Sequence, residues 1–497
     1  MNIPETQDLH RVSEPAPAVE SPFARYVPLL VWVLAITVLL LIPLRIIGYG
    51  YLPAGDARRH IAKVFTDKPY AEIIAFNGYY KTDQSPGWEW LLRFLHRDFG
   101  WGTEALVTFS VTALILCIFY APLPWLRRPE AWLAALLAQM VAIPEVMTRL
   151  TQARPFLITE GVLIAMLFAW SKPEEKPSWL KIIFTVVGIT LSVWMHGTWY
   201  LWALPVLAFC LAQQWRSAVW LAACIAAGII AGALLTGNPI VFLMQQVYQV
   251  VAITREHLPQ WMLVGEFRPS YGEFDTLALL GGVILWRWLQ TGRPPQLFRN
   301  PVFCMVAICW ALGFKGDRFW ADWGVPAALV WLTMQFEVIL PSLCDPASLK
   351  RLALCGLVAF PLLLHATNDL DRRYTFYQKE IFMDASDPSL KGWLPDSGGL
   401  FYHAQMDFFY NTFYKNPQGD WRYILAMEPA MMPGDDLRIL RQIQRYNYTP
   451  KAYEPWINKM TPADRLVIYS PVEPPLPQLQ WHNAIGNIWL GRLPKAH

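Results

Sequence analysis

Pro53-Ala54-Gly55-Asp56-Ala57-Arg58-Arg59-His60 follows almost directly on an apolar run from Tyr26 to Ile47. Roughly 20 apolar residues suffice to cross a hydrocarbon core, and the run is too long and too far from the N-terminus for a cleaved signal peptide. It reads as a retained anchor helix, which sets a carboxylate and three basic side chains at the membrane surface. A charge there costs free energy unless something pairs or employs it. The segment these residues open, 48–104, is long for a loop between adjacent spans. Its apolar residues, Ile61, Val64 and Phe65, then Trp88, Trp90, Leu91, Leu92, Phe94 and Leu95, are spaced for helices lying at the interface. The stretch thus predicts a structured outer platform carried on a membrane bundle.

Further apolar runs at 105–126, 131–147, 155–170, 182–195, 199–213, 217–236, 274–290, 302–314, 324–341 and 352–366 bring the expected spans to about eleven. Composition agrees: 55% of the 497 residues are hydrophobic and 16% charged, against roughly 45–50% and about 25% in soluble proteins. Arg127 and Arg128, Lys172 and Lys176, Arg216, Arg293 and Arg299, and Lys350 and Arg351 fall in alternate short loops, which puts the N-terminus in the cytoplasm. Segments 48–104, 237–273 and everything after 366 then lie outside. The chain divides into a polar lead, 1–25, with Pro15, Pro17 and Pro22, expected to be disordered; a transmembrane domain, 26–366; and an extracytoplasmic tail, 367–497. Short apolar runs at 399–402, 423–426, 466–469 and 488–490 read as strands, and 437–445 as a helix after Pro433-Gly434-Asp435-Asp436. The fold class is mainly α, a polytopic helical membrane bundle with a small C-terminal α/β domain. The expected location is a bacterial cytoplasmic membrane with the tail in the periplasm.

The net charge of +3, from 41 basic and 38 acidic residues, is too small for a basic stripe, and nucleic acid is excluded as a partner. All seven cysteines but Cys344 lie within apolar runs, which supports neither a disulfide framework nor a thiolate zinc site. No phosphate loop, Gly-x-Ser-x-Gly elbow or His-Glu-x-x-His pair occurs.

Asp56 can act as a general base, or it can cap the helix that follows Gly55. Arg58, Arg59 and His60 can bind an anionic ligand or touch lipid headgroups. Asp83, in Thr82-Asp83-Gln84-Ser85-Pro86, is a second acid or a turn residue. Arg149, Arg154, His196, Lys315 and Arg318 stand in outer loops and break the positive-inside trend. As a set they suit an anionic lipid-linked phosphate, since Arg forks onto phosphate oxygens, although each could instead reach headgroups or pair with Asp317 and Asp322. Glu145, Glu160 and Glu337 are membrane-region acids compatible with a lipid or glycan transporter, but no internal repeat accompanies them. A silent envelope scaffold is the third reading. Trp393, Trp421, Trp456 and Trp481 in the tail could stack on sugars or fill a small core.

The layout resembles the GT-C class of membrane glycosyltransferases. Gly55-Asp56-Ala57-Arg58-Arg59-His60 is similar to its Gly-Asp-x-x-x-His opening, and Arg318-Phe319-Trp320-Ala321-Asp322-Trp323-Gly324-Val325-Pro326 to an Arg-aromatic stretch entering a late span. The resemblance implies sugar transfer at the outer face from a polyprenyl-phosphate donor to a lipid, glycan or protein acceptor, by direct displacement at the anomeric carbon. Asp56 would be the base. Arg58, Arg59, His60, Asp83, Arg149, Arg154, His196, Lys315 and Arg318 would bind donor phosphate or acceptor. The first loop lacks the Asp-Asp or Asp-x-Asp doublet of metal-dependent members, which speaks against a divalent cofactor. No metal ligand is expected, and membrane lipids are the remaining partners.

Overall fold

The computed structural model describes residues 24–172, 174, 176–255, 258–270, 274–376 and 382–494. Most of the lead expected to be disordered, up to residue 23, lies outside them. Among the described residues five helices are long and apolar enough to cross a membrane: Ala24–Gly48, Thr103–Trp125, Trp215–Leu234, Asp317–Ser342 and Leu349–Thr367. Pro129–Ala142 and Glu145–Thr151 meet at 109° and would form a sixth, broken span. The expected spans at 155–170, 182–195, 199–213 and 302–314 form shorter apolar helices, Phe156–Trp170, Trp179–Met195, Trp199–Leu211 and Pro301–Gly313. The run at 274–290 is helical as Phe274–Thr291 but carries Asp275 and Arg287, and it is not among the span-length apolar helices.

The shortness has a physical cause. The chain leaves regular helix at Ile143-Pro144, at 152–155, at 196–198 and at 314–316, and irregular backbone at membrane depth is tolerated only where protein or a polar cavity surrounds it. These breaks gather at one end of the bundle. Close helix contact comes from small residues: a Cβ on Gly228 or Gly232 would meet Ile189 or Val193 at 2.6–2.8 Å, so helix Trp215–Leu234 lies directly on Trp179–Met195.

The segment 237–273, read from sequence as an outer loop, contains a helix, Pro239–Arg255. Gln245, Gln246 and Gln249 interrupt its apolar run and hid it from a hydropathy criterion. Gln245 Oε1 accepts the amides of Lys81 and Thr82 at 2.9 and 3.0 Å, which ties this helix to the segment 48–104.

The tail folds as a five-stranded sheet: β1 (Leu400–Tyr402), β2 (Arg422–Tyr423), β3 (Arg465–Tyr469), β4 (Gln480–Ile485) and β5 (Ile488–Arg492), in the order β2-β1-β3-β5-β4. Strand β1 is parallel to β2 and β3, while β5 runs antiparallel to β3 and β4. Strands overlap all four runs expected from sequence, although the run 423–426 is strand only at Tyr423; β4, half of it polar, was not foreseen, nor was helix Met406–Lys415. The segment 48–104 joins this unit. Ile74 bridges Tyr423 in parallel, and Ala62, Ile73 and Ile74 share a core with Phe401, Phe408 and Val467. Trp421 and Trp456 are buried in the tail, as a core role requires. Trp393 stacks on His482 and lies under Arg492, and Trp481 donates to the Leu476 carbonyl at 3.1 Å.

Candidate active site

Gly55 has φ 68° and ψ −128°, a conformation open to glycine alone, and nothing lies within 4 Å of where a Cβ would stand. The tight turn sets Asp56 as the first residue of helix Asp56–Val64. Asp56 is therefore not the cap, and its side chain points to other partners. Tyr410 Oη, from helix Met406–Lys415, donates to Oδ1 at 3.3 Å; Arg59 Nε lies 3.4 Å from Oδ1 and Arg154 Nε 3.6 Å from Oδ2. Burial works to raise the carboxyl's pKa, but Arg59 and Arg154 outweigh it and hold the group well below the usual carboxylate range. Asp56 is ionised and doubly paired.

Behind it stands a buried polar network. A guanidinium can only donate, so Arg59 Nη2 donates to His60 Nε2 at 2.9 Å, and His60 Nδ1–H must donate to Glu89 at 3.3 Å. Burial, and after it the Arg59 charge, push His60 down to about 3, in keeping with this neutral tautomer. Arg59 Nη1 donates to Tyr70 Oη at 2.8 Å, which donates in turn to Glu89 at 2.6 Å. Arg58 turns the other way: it donates to the Pro53 carbonyl at 3.0 Å and to Asn411, and packs over Phe382. Arg58, Arg59 and His60 thus neither line the cavity beside Asp56 nor face headgroups. They are buried, and they fix Asp56 and dock the tail.

Asp83 also lies outside the cavity lining. Its Oδ1 accepts the Ser85 amide at 3.0 Å, the turn role, while burial and then Glu89 raise the carboxyl to about 7. Between its ordinary pKa of 3.8 and about 7 the folded protein keeps a proton that the unfolded chain has released, so stability falls as pH rises through that window. Asp83→Asn keeps the Ser85 bond and removes the titration. The thermal midpoint of the wild type should therefore fall, relative to the variant, between about pH 4 and 7, and level off above. Parallel curves for the two proteins would assign the proton elsewhere.

In front of Asp56 lies a cavity of about 150 Å³. Arg149, Arg154, His196 and Arg318 line it with Asp56, although they come from separate parts of the chain. Arg154 and His196 stand in helix breaks, Arg149 in the last turn of helix Glu145–Thr151, and Arg318 in the short helix Asp317–Phe319 that follows the break at 314–316. Ala153, left-handed at φ 52°, turns the chain so that Arg149 and Arg154 face one space. Trp320–Gly324 is a π-helical turn that aims buried Asp322 inward, where Arg149 Nη2 reaches Oδ1 at 2.8 Å and Arg318 Nε reaches Oδ2 at 3.4 Å. Lys315 is exposed and not part of the lining. The sequence reading missed Glu266, which ion-pairs with Arg154 and Arg318, as well as Tyr410, Met406, Met427 and Glu428 from the tail. Glu160 and Arg149 also border a second cavity of about 210 Å³, walled mainly by apolar residues such as Ile118, Leu136, Ile164 and Leu329. Polar and apolar spaces therefore adjoin.

Among the described residues no group of three His, Cys, Asp or Glu side chains converges as a metal site requires. Asp56, Glu266 and Asp322 at the cavity are engaged instead by arginines.

No family model matches the sequence, and none of the curated proteins compared with it does. Solved structures are similar in fold. The crystal structure of ArnT from Cupriavidus metallidurans bound to undecaprenyl phosphate matches 94% of this chain and 98% of its own, with a TM-score of 0.53 and 14% identity. The same protein in the apo state matches 95% and 98%, with a TM-score of 0.55 and 14% identity. An Archaeoglobus fulgidus oligosaccharyltransferase, at TM-score 0.47 and 12% identity over 86% of this chain and 67% of its own, is too distant to argue from. The likeness to ArnT spans nearly the whole of both chains and shows that this chain shares ArnT's fold.

Proposed function

We propose that the chain transfers a sugar from a polyprenyl-phosphate donor to an acceptor hydroxyl at the extracytoplasmic face of the membrane. The observation that carries this reading is the gathering of Arg149, Arg154, Arg318 and His196 with the Asp56 carboxylate around one cavity next to an apolar space. Guanidinium forks suit phosphate oxygens, and an adjoining apolar wall suits a prenyl chain. The undecaprenyl phosphate held by ArnT, which has the same fold, supports the choice of lipid.

In the reaction the acceptor oxygen attacks the anomeric carbon, the bond from that carbon to the phosphate oxygen breaks, and polyprenyl phosphate leaves. Arg149, Arg154 and Arg318 face the charge that develops on the leaving group, where preorganised donors lower the barrier most. Asp56 takes the acceptor proton. Tyr410 and Arg59 hold the carboxylate in place, since they bind one oxygen and leave the other toward Arg154.

The test is binding of undecaprenyl phosphate to the purified full-length protein, followed by release of that lipid from a sugar-linked donor. Arg318→Ala should weaken lipid binding about 10-fold or more, the scale of a lost charge-assisted contact. Equal binding of undecaprenyl phosphate and undecaprenol would sink the phosphate reading.

A further inference from the structure

The segment 258–270 runs along the cavity as a strap. Its Ser270 amide donates to the Gly313 carbonyl at 2.9 Å, and the Asp317 amide donates to the Arg268 carbonyl at 2.7 Å. Between those anchors and the tail, Val264, Glu266 and Phe267 form part of the cavity lining. One Glu266 oxygen meets Arg154 Nη1, and the other lies 3.9 Å from Arg318 Nη1. A single carboxylate therefore spans two of the three arginines. The third, Arg149, is taken by Asp322 at 2.8 Å and Asp317 at 3.7 Å. Arg154 is shared, because its Nε also lies 3.6 Å from Asp56.

A carboxylate offers guanidinium the same fork of oxygens as a phosphate monoester or diester. We propose that Glu266 is a built-in stand-in for the donor phosphate: it holds the anion position between Arg154 and Arg318 and gives it up when the lipid phosphate arrives. The inference rests on the reading of the site as a polyprenyl-phosphate pocket and adds to it a competitor encoded in the chain. Exchanging one anion for another keeps both guanidiniums paired throughout, which avoids the cost of leaving a half-buried charge uncompensated. It also couples binding to chemistry. Arg154 drawn onto a phosphate moves away from Asp56, whose affinity for a proton then rises, so the carboxylate becomes an effective base only with donor in place.

The test compares undecaprenyl phosphate binding by the full-length wild type, Glu266→Gln and Glu266→Ala, with thermal unfolding as a check on each. The wild type should bind, and both variants should bind about 10- to 100-fold more tightly, since the arginines no longer exchange an internal ion pair for the ligand. Unchanged or weaker binding by folded variants would make Glu266 a clamp for the strap and overturn the proposal, as would loss of the folded protein in both. Failure of the wild type and both variants to bind would instead refute the phosphate reading of the site, and Glu266's role with it.

Discussion

Asp56→Asn should lower turnover by about 10²–10⁴-fold, the usual contribution of a positioned base, while leaving donor KM unchanged or reduced. The split follows from the geometry. Asparagine keeps an oxygen for Tyr410 and Arg59 but removes the charge that competes for Arg154, so the phosphate gains a freer partner as the acceptor proton loses its destination. Some stability goes with the charge. A carboxyl held below its ordinary pKa stabilises the fold above that pKa, and the contribution disappears as pH falls through the depressed value, so the variant should lose stability at neutral pH and little in strong acid. Turnover is therefore compared per folded protein, read as release of polyprenyl phosphate from a labelled donor. Full turnover in a folded Asp56→Asn protein would remove Asp56 from the chemistry. A loss that only tracks the folded fraction would leave it a structural role.

The layout was legible because hydropathy places whole helices, and alternate loops then share one end of the bundle. Arg149, Arg154, His196 and Arg318 each stand at or within a few residues of a helix end, so topology brings them together. Lys315, three residues before Arg318, was grouped with them on the same ground, but turn geometry leaves it exposed. Consecutive residues on one helical turn point in different directions, which is why Arg58 docks on Asn411 while Arg59 and His60 join the network behind Asp56. The Asp56–Arg59 pair at i,i+3 and the Arg318–Asp322 pair at i,i+4 were readable from spacing alone.

Glu266 carried no such signal. It is one of three acids in 237–273, a stretch read as a loop, and its partners lie far away in sequence. Tyr410 was hidden for a related reason. Its position depends on how the tail packs on the segment 48–104, through Arg58 to Asn411 and Ile74 to Tyr423, and such long-range docking leaves no local pattern. The cavity is thus built from local helix ends, which sequence discloses, and from a docked domain, which it does not.

Glu130→Leu should produce the largest loss of stability outside the site. Glu130 and Arg351 form a two-pronged pair at the opposite end of the bundle, with Nε to Oε1 at 2.6 Å and Nη2 to Oε2 at 3.0 Å, joining helix Pro129–Ala142 to Leu349–Thr367. Both side chains are buried, at 1% and 4% exposure, so the choice of substitution decides the outcome. Removing the carboxylate alone strands a guanidinium whose other contact is the Pro346 carbonyl at 3.2 Å, which costs about 3–5 kcal/mol for a buried pair broken on one side. Replacing both partners by apolar residues removes the desolvation cost together with the attraction, so Glu130→Leu/Arg351→Met should recover most of the loss. Unfolding temperatures in detergent, at one scan rate because such proteins unfold irreversibly, give the comparison. Arg128 Nη1, 3.6 Å from Glu130, loses a partner in both variants and sets the floor of the recovery. The donor KM should stay at its wild-type value throughout, because neither residue lines the cavity beside Asp56. Wild-type stability in Glu130→Leu, or a double variant no more stable than the single, would show that packing of the two helices, and not this pair, holds that end of the bundle together.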